Sequence, residues 1–213
     1  SEMCIRDSHK GEINLVTDVD IACQEKIMAM IRDAFPDDDI ISEEKSNRFD
    51  TPGNRWIIDP VDGTTNYAHG YPFFCTSIAY ETEGKVVAGV VYNPVMDEMF
   101  FAQRGKGAYL NGDRIKVSNV RELKRSLLST GFPYDLATNP DNNIDHFVHF
   151  LYEAQAVRRD GSAALNLGYV ACGRFEGFWE LNLNPWDIAA GALIVEEAGG
   201  VVTNLGGGPF NIY

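Results

Sequence analysis

The sequence predicts a mixed α/β protein, with a helix and a mostly antiparallel sheet in its first half and layered α/β structure in its second. Short runs rich in Val, Ile, Phe and Tyr follow one another from residue 74 to residue 104, with turn residues between them. From residue 126 onwards, strand-like and helix-like segments alternate. We therefore predict an N-terminal α+β subdomain over residues 10–122 and a C-terminal α/β subdomain over residues 123–213, preceded by a tail, residues 1–9.

The first subdomain should begin with an amphipathic helix. Thr17 and Asp20 have the spacing of a capping box, and apolar side chains recur at helical spacing behind them, which predicts a helix over residues 18–34. The apolar run 56–58 predicts a buried strand. Further strands are predicted over residues 74–82, 85–93 and 98–104, followed by a hairpin whose Asn111-Gly112 turn joins residues 109–110 to 115–117.

The second subdomain should alternate strands with helices. Its predicted strands cover residues 126–130, 154–159, 175–180 and 200–204, and its predicted helices cover residues 142–153, 162–172 and 186–198. In the last helix, Asn184 is the predicted N-cap and Pro185 the first helical residue, which puts Asp187 in the first turn.

Composition limits the classes of partner. A chain of 213 residues with a formal net charge of -13 is a poor match for nucleic acid or an anionic membrane, and an acidic protein that handles phosphate needs cations to mediate the contact. The four cysteines are widely scattered, without metal-like spacing, which favours free thiols in a reducing cytoplasm. No apolar stretch is long enough to span a bilayer.

The stretch "DPVDGTTN", residues 59–66, carries the main chemical signal. Asp59 and Asp62 follow a buried apolar run, where unpaired carboxylates are costly, and Gly63 permits a sharp turn behind them. Both carboxylates and the carbonyl of Val61 can point into one small volume, and such oxygen ligands suit Mg²⁺. Backbone amides from Gly63 onwards would form an anion site beside the metal, which suggests phosphoryl chemistry. The alternative is a surface Asp-Gly turn.

Other acids could complete a metal site. Glu43 and Glu44 follow the apolar pair Ile40-Ile41, as Asp59 follows its own apolar run, and two strand ends that present acids to one crevice suit a binuclear site. A solvated loop is the alternative for these glutamates. Asp187 could be a third contributor, or could merely complement the dipole of its helix.

The motifs resemble those of the inositol monophosphatase family of magnesium-dependent, lithium-sensitive sugar phosphatases. "WIIDPVDGTTNYAH" looks like the first signature of that family and "WDIAAGALIVEEAGG" like the second. The stretches "ISEE", "GKGAYLNG", "GSAALNLGYVACGRFEGFWE" and "GGPF" occur in the family's order. The resemblance covers about residues 10–209 and implies the α-β-α-β-α sandwich of the sugar phosphatases.

The resemblance also implies a set of ligands for two or three Mg²⁺ ions. Carried over position by position, one ion would be held by Glu43, Asp59 and the Val61 carbonyl, and a second by Asp59, Asp62 and Asp187. Water held by the metals would attack the phosphate in line. Thr64, with Glu43 and Asp20, would orient that water.

Residues for substrate are implied in the same way. The phosphate would lie on the backbone amides of Gly63 and Thr64, beside Val61, Asp62 and Asp187. Gly161, Ser162 and Ala163 match a stretch that touches the polyol, and Glu180 matches a carboxylate that accepts hydrogen bonds from its hydroxyls. The alternative for Glu180 is a purely structural role, in which it pairs with a cation such as Arg174.

The expected activity is hydrolysis of inositol monophosphate or a similar small polyol or sugar phosphate. The enzyme is expected to be cytoplasmic, with a homodimer as one candidate assembly. Alternatives are fructose 1,6-bisphosphate, histidinol phosphate or a 3'-phosphonucleotide as substrate, or a binding or regulatory protein without turnover. Compared with the family pattern, the chain looks truncated at both ends, and "SEMCIRDS" has no counterpart. Lys10 matches a loop over the active site, although a solvated lysine fits equally well.

Overall fold

A computed structural model describes residues 7–9, 15–44, 53–140 and 142–213. Lys10, predicted to lie in a loop over the site, is outside these described residues. The strands are β1 (Asp7–His9), β2 (Leu15–Thr17), β3 (Asp39–Ser42), β4 (Arg55–Asp62), β5 (Cys75–Thr82), β6 (Lys85–Asn93), β7 (Glu98–Gln103), β8 (Gly107–Leu110), β9 (Asp113–Arg114), β10 (Leu127–Thr130), β11 (Ala156–Arg158) and β12 (Gly177–Trp179). The α-helices are α1 (Asp18–Ala34), α2 (Thr64–Ala68), α3 (Ile144–Glu153), α4 (Ala163–Ala171) and α5 (Pro185–Glu197). In these ranges no helix has the length and apolar character needed to cross a membrane.

A seven-stranded sheet, in the order β3-β4-β5-β6-β7-β8-β9, forms the centre of the first half. Only the β3–β4 pair is parallel, and every other neighbouring pair is antiparallel. The Asn111-Gly112 hairpin is confirmed, with the positive φ values of 50° and 90° that this turn needs. Its second strand, predicted over residues 115–117, lies earlier, at Asp113–Arg114. The Ile115 amide still donates to the Ala108 carbonyl of β8, but beyond it the chain leaves the sheet and the Val117 amide donates to the Ala198 carbonyl at the end of α5.

A smaller parallel sheet, in the order β11-β10-β12, forms the second half together with α3 and α4. The alternating elements predicted from residue 126 onwards are confirmed up to α5. The strand predicted over residues 200–204 was wrong. Gly199, with φ at +87°, ends the helix. The segment that follows pairs with no strand in the described part of the chain, and its Val201 is 85% exposed.

The core lies between the large sheet and helices α4 and α5. Apolar or small side chains surround most of α5, which is buried on nearly all sides between the sheet and α4. Helix α1 covers part of the opposite face of the sheet, where Met28 and Ile31 pack with Ile58 of β4. Its capping box is present as predicted, with Thr17 as N-cap and Asp20 as the reciprocal acid.

The contact between α5 and the large sheet depends on Gly89 of β6. A Cβ atom at this position would lie 2.9 Å from the Cα of Ala190 and 3.1 Å from its carbonyl oxygen. These are backbone atoms, so the helix itself would have to move. On its other side α5 is held as tightly, because a Cβ atom at Gly191 would lie 2.6 Å from Leu167 Cδ1 of α4.

We therefore expect Gly89→Ala to lower the free energy of unfolding by about 1–3 kcal/mol, the usual range for overpacking a core. Chemical denaturation measures the change. Gly53→Ala is the matched control, because no atom lies within 4 Å of a Cβ atom built there. Equal stability of the Gly89→Ala protein and the wild type would contradict this account of the α5 contact.

Candidate active site

Asp59 and Asp62 lie within β4 rather than behind it, so the sequence placed the strand end too early. Residues three apart point to opposite faces of a regular strand. Here Asp59 pairs with Ser77 and Asp62 with Cys75, so three steps along β4 oppose two steps along β5. This extra residue is a β-bulge, which turns both carboxylates to the same face of the sheet.

The two aspartates border a cavity of about 680 Å³ at the junction of the two sheets. The described residues that line it include Glu43, Asp59, Val61, Asp62, Gly63, Thr64, Glu180 and Asp187 from the sequence-predicted set. Gly161, Ser162 and Ala163, predicted to touch the polyol, are not among these lining residues. The structure thus brings the predicted acids together around one cavity, whereas the "GSA" stretch, residues 161–163, does not line it.

Glu43 and Asp187 reach the cavity from different elements. Glu43 directly follows β3, and its amide donates to the Ile58 carbonyl of β4 at 3.3 Å. Asp187 lies in the first turn of α5, where its Oδ2 accepts a hydrogen bond of 2.7 Å from the Asn184 amide. The sequence offered a helix-end role and a site role for Asp187 as alternatives, and the residue caps its helix while it also lines the cavity.

The acids raise one another's pKa. Burial raises the pKa of Asp59 well above its ordinary value, and the charges of Glu43, Asp62 and Asp187 raise it further. The opposing effect comes from the Val61 amide, which donates to Asp59 Oδ1 at 3.0 Å. Burial, followed by the charge of Asp62, raises the pKa of Asp187 to about 8. A cation in the cavity would stabilise the ionised forms of these acids.

The N-terminus of α4 holds the carboxylate of Asp62. Its Oδ2 accepts hydrogen bonds from the Ser162 hydroxyl at 2.6 Å and from the Ala164 amide at 2.7 Å. The buried Cys75 thiol lies 3.7 Å from the same oxygen. Burial raises the pKa of Asp62, and the hydrogen bond from Ser162 is the largest effect in the other direction. The Ser162 side chain, 1% exposed, thus contacts Asp62 behind the wall of the cavity.

Thr64 connects the cavity to the start of α1. Its hydroxyl lies 2.9 Å from Asp20 Oδ1 and 3.0 Å from the Val61 carbonyl. Asp20 is completely buried and also accepts hydrogen bonds from the amide and hydroxyl of Thr17. The capping acid of α1 therefore also fixes the Thr64 hydroxyl. Gly63, with φ at +95°, turns the chain from β4 into α2.

Glu180 directly follows β12 and lines the cavity opposite Asp62 and Asp187, whose charges act on it. Burial is the largest of the effects that raise the pKa of Glu180 to about 8. The Arg174 pairing that the sequence left open is wrong, because the Arg174 guanidinium binds both oxygens of Glu98. Arg159 is the cation that lowers the pKa of Glu180.

Sequence reasoning missed the segment that follows β10. Phe132, Pro133, Tyr134, Asp135 and Asn139 line the cavity. Tyr134 is 60% exposed as a whole residue, so the cause is local to its hydroxyl: partial loss of water there, with the charges of Glu43, Asp62 and Asp187, raises its pKa to about 12. The sequence offered a partial signal, because alternating strands and helices from residue 126 onwards favour a parallel sheet, and ligands commonly bind beyond the carboxyl ends of such strands. That β10 is the central strand is known only from the structure.

The donor set fits Mg²⁺ by its chemistry. Several carboxylate residues line the cavity together with Val61, and hard oxygen ligands are those that Mg²⁺ takes, usually few per ion and supplemented by water. Within the described part of the chain, no three acidic, His or Cys side chains are close enough to form a ready ligand group. Binding of one ion by several of these acids would therefore require their side chains to move closer together.

Comparisons with known proteins identify relatives. The chain matches the model of the inositol monophosphatase family over residues 2–212. Inositol monophosphatase 2 of Solanum lycopersicum is 44% identical over 215 residues, which cover 96% of this chain and 80% of the relative. Nus factor SuhB of Escherichia coli K12 is 43% identical over 205 residues, which cover 96% of this chain and 77% of the relative.

Solved structures share the fold. An inositol monophosphatase from Anabaena superposes with a TM-score of 0.87 at 48% identity, covering 91% of this chain and 77% of its own. An IMPase/NADP phosphatase complexed with Mg²⁺ and phosphate gives a TM-score of 0.87 at 29% identity, and the match covers 98% of this chain and 78% of the phosphatase chain. SaIMPase-II bound to inositol monophosphate gives a TM-score of 0.80 at 33% identity, and the match covers 91% of this chain and 74% of the SaIMPase-II chain. Because the family model spans nearly the whole chain and its solved relatives superpose on the sheets and helices described above, the chain belongs to the inositol monophosphatase family.

Proposed function

We propose that this protein is a Mg²⁺-dependent phosphomonoesterase that hydrolyses inositol monophosphate or a similar small polyol phosphate. The observation that carries the proposal is the buried Asp59, whose pKa is raised by three further acids around one cavity. Such a group of acids is costly to the fold unless cations bind it. Relatives solved with Mg²⁺ and phosphate, and with inositol monophosphate, support the same chemistry.

Glu43, Asp59, Asp62, Asp187 and the Val61 carbonyl would hold the metal. When bound, Mg²⁺ would neutralise charge on the phosphoryl group and on the leaving oxygen, and would favour ionisation of the attacking water. The two or three ions implied by the family resemblance remain part of the proposal. The charges of Glu43, Asp62 and Asp187 all act on Asp59, so its carboxylate lies near each of the other acids that would hold metal.

The chain's own groups would orient the water and the phosphate. The Thr64 hydroxyl has one proton, and donation of that proton to Asp20 leaves its oxygen free to accept a hydrogen bond from the attacking water. Asp20, with hydrogen bonds from Thr17, is fixed for this role. The phosphate would take the backbone amides of Gly63 and Thr64, at the turn into α2, where first-turn amides have no partner within the helix.

Glu180 would recognise the hydroxyls of the alcohol. It lines the cavity, and its alternative partner Arg174 is bound to Glu98. Carboxylate oxygens are acceptors, so Glu180 favours a leaving group rich in hydroxyls over a nucleotide base. A sugar bisphosphate would also supply hydroxyls, and a panel of phosphorylated metabolites assayed with Mg²⁺ distinguishes these substrates. Lithium inhibition, which the resemblance implies, can be measured in the same panel.

Asp59→Asn should remove a charge that the metal requires. We expect kcat/KM to fall by more than about a hundredfold, because even the outer-shell partners of metal ligands contribute 10- to 100-fold. Steady-state assays in Mg²⁺ and in chelator measure the loss. Asp113→Asn, which removes an exposed acid at the opposite edge of the sheet, is the matched control. Full turnover of the wild type in chelator would contradict the proposed mechanism.

Stabilisation by Mg²⁺ should increase with pH. The pKa of Asp187 is raised to about 8, so the metal-free folded state holds this proton more tightly than the unfolded chain. Ionisation therefore destabilises the metal-free fold progressively from about pH 4, the unfolded pKa, up to about pH 8. Because Mg²⁺ binds the ionised form, it should raise Tm much more at about pH 8.5 than at about pH 5.5. Thermal melting with and without Mg²⁺ measures this, and a pH-independent increase would contradict it.

Glu180→Gln should weaken recognition of the polyol without removing a metal ligand. A hydrogen bond to a charged group contributes about 1.5–3 kcal/mol. Above the Glu180 pKa of about 8, where this carboxylate is ionised, kcat/KM for inositol 1-phosphate should therefore fall roughly ten- to a hundredfold. A nitrophenyl phosphate lacks those hydroxyls and should be much less affected. Equal losses on both substrates, with a lower Tm, would assign Glu180 a structural role instead.

A further inference from the structure

Gly131, the residue directly behind β10, lies against the carboxylate of Glu180. A Cβ atom built on Gly131 would overlap Glu180 Cδ and both of its carboxylate oxygens, far inside van der Waals contact. Gly131 does not have a positive φ, so its backbone conformation is open to any residue. The requirement for glycine at this position is therefore one of space, and the space is filled by the Glu180 carboxylate.

The strand register explains why these two residues meet. Strands β10 and β12 are parallel neighbours, and Thr130 is paired with Trp179. Gly131 and Glu180 each come one residue later, at the carboxyl ends of their strands. Glu180 lines the active-site cavity, and Gly131 is not among the described residues that line it. The cavity-lining side chain that a Cβ atom at Gly131 would strike first is therefore that of Glu180.

A buried hydrogen-bond network fixes both backbones at this point. The Asn143 Nδ2 donates to the Gly131 carbonyl at 2.6 Å and to the Thr130 hydroxyl at 2.8 Å. The Trp179 Nε1 donates to Asn143 Oδ1 at 2.6 Å, and the Thr130 hydroxyl donates to the Trp179 carbonyl at 2.7 Å. Because an indole N–H can only donate, the orientation of the Asn143 amide is set, and every donor in the network meets an acceptor.

The network determines which group would yield to a larger residue at position 131. Asn143, which is 3% exposed, joins the Gly131 carbonyl to the Trp179 indole, and the Thr130 hydroxyl holds the Trp179 carbonyl. The Glu180 carboxylate is the far end of a flexible side chain and can rotate away at little cost. A methyl group on residue 131 would therefore displace the carboxylate rather than open the sheet.

We propose that Gly131 is a specificity-determining position, which seats the Glu180 carboxylate where it meets the hydroxyls of the substrate alcohol. The inference rests on the proposed function, since it takes Glu180 to be the group that recognises a polyol. Gly131 is a positioning residue and takes no part in phosphoryl transfer. Replacement by alanine should change which phosphate esters are hydrolysed well and leave the metal site unaltered.

The test compares two substrates on four proteins: the wild type, Gly131→Ala, Glu180→Ala and the double variant. All assays are made above about pH 8, where Glu180 is ionised. For Gly131→Ala, kcat/KM for inositol 1-phosphate should fall roughly ten- to a hundredfold, the size expected for one lost hydrogen bond to a charged group. kcat/KM for p-nitrophenyl phosphate should stay within about twofold. In the Glu180→Ala background, Gly131→Ala should have no further effect, because the group that it displaces is gone.

Gly177→Ala is the matched control, since it adds a methyl group on β12, next to Leu128 of the paired strand and away from the carboxylate. Equal losses on both substrates, no loss at all, or the same loss with and without Glu180 would each overturn the inference. A wild type that hydrolyses neither ester would contradict the proposed function instead. In that case, crystal structures of the wild type and of Gly131→Ala would still test the inference. A Glu180 carboxylate in the same position in both structures would refute the claim that Gly131 positions it.

Discussion

The burial of several like charges around one cavity is the constraint on which the rest of this structure depends. Asp59 lies out of water with Glu43, Asp62 and Asp187 around it, and each of these neighbours raises its pKa. Such an arrangement opposes folding unless protons, hydrogen bonds or cations compensate the charge. The fold supplies part of this compensation through helix ends. The α4 amide of Ala164 donates to Asp62, and the Asn184 amide at the start of α5 donates to Asp187. The positive ends of both helix dipoles thus face the acids.

Helix α5, whose first turn holds Asp187 at the cavity, is also a central part of the hydrophobic core. The helix belongs by sequence to the second half of the chain, but it packs against the large sheet of the first half as well as against α4. Its close approach to Gly89 brings Asp187 to the same cavity as Asp59, so packing in the core determines a distance at the site. The subdomain boundary that we place after residue 122 therefore separates the two sheets, while the site needs residues from both sides of it.

Features fixed by neighbouring residues could be predicted from the sequence, and features fixed by distant contacts could not. The Thr17–Asp20 capping box and the Asn111-Gly112 turn depend on local chemistry, and both are present. The bulge between Asp59 and Asp62 depends on pairing with β5, so the sequence indicated the convergence of the two acids but not its cause. The apolar pair Val201-Val202 resembled a strand, and only the absence of a described partner strand shows that it is not one. Nothing local indicated that Ser162 would turn towards Asp62.

The two sheets divide the chemistry between them. The antiparallel sheet contributes Asp59, Asp62 and the turn into α2, all of which would act on the phosphate. The parallel sheet contributes Glu180 and the segment that follows β10, which line the same cavity and would contact the alcohol. Since the phosphate is common to all candidate substrates and the alcohol is not, changes in the parallel sheet can alter substrate choice without disturbing the acids. The register of Thr130 with Trp179 would then matter for substrate choice, because a slip of one residue would move Glu180 away from Gly131 and from its position in the cavity lining.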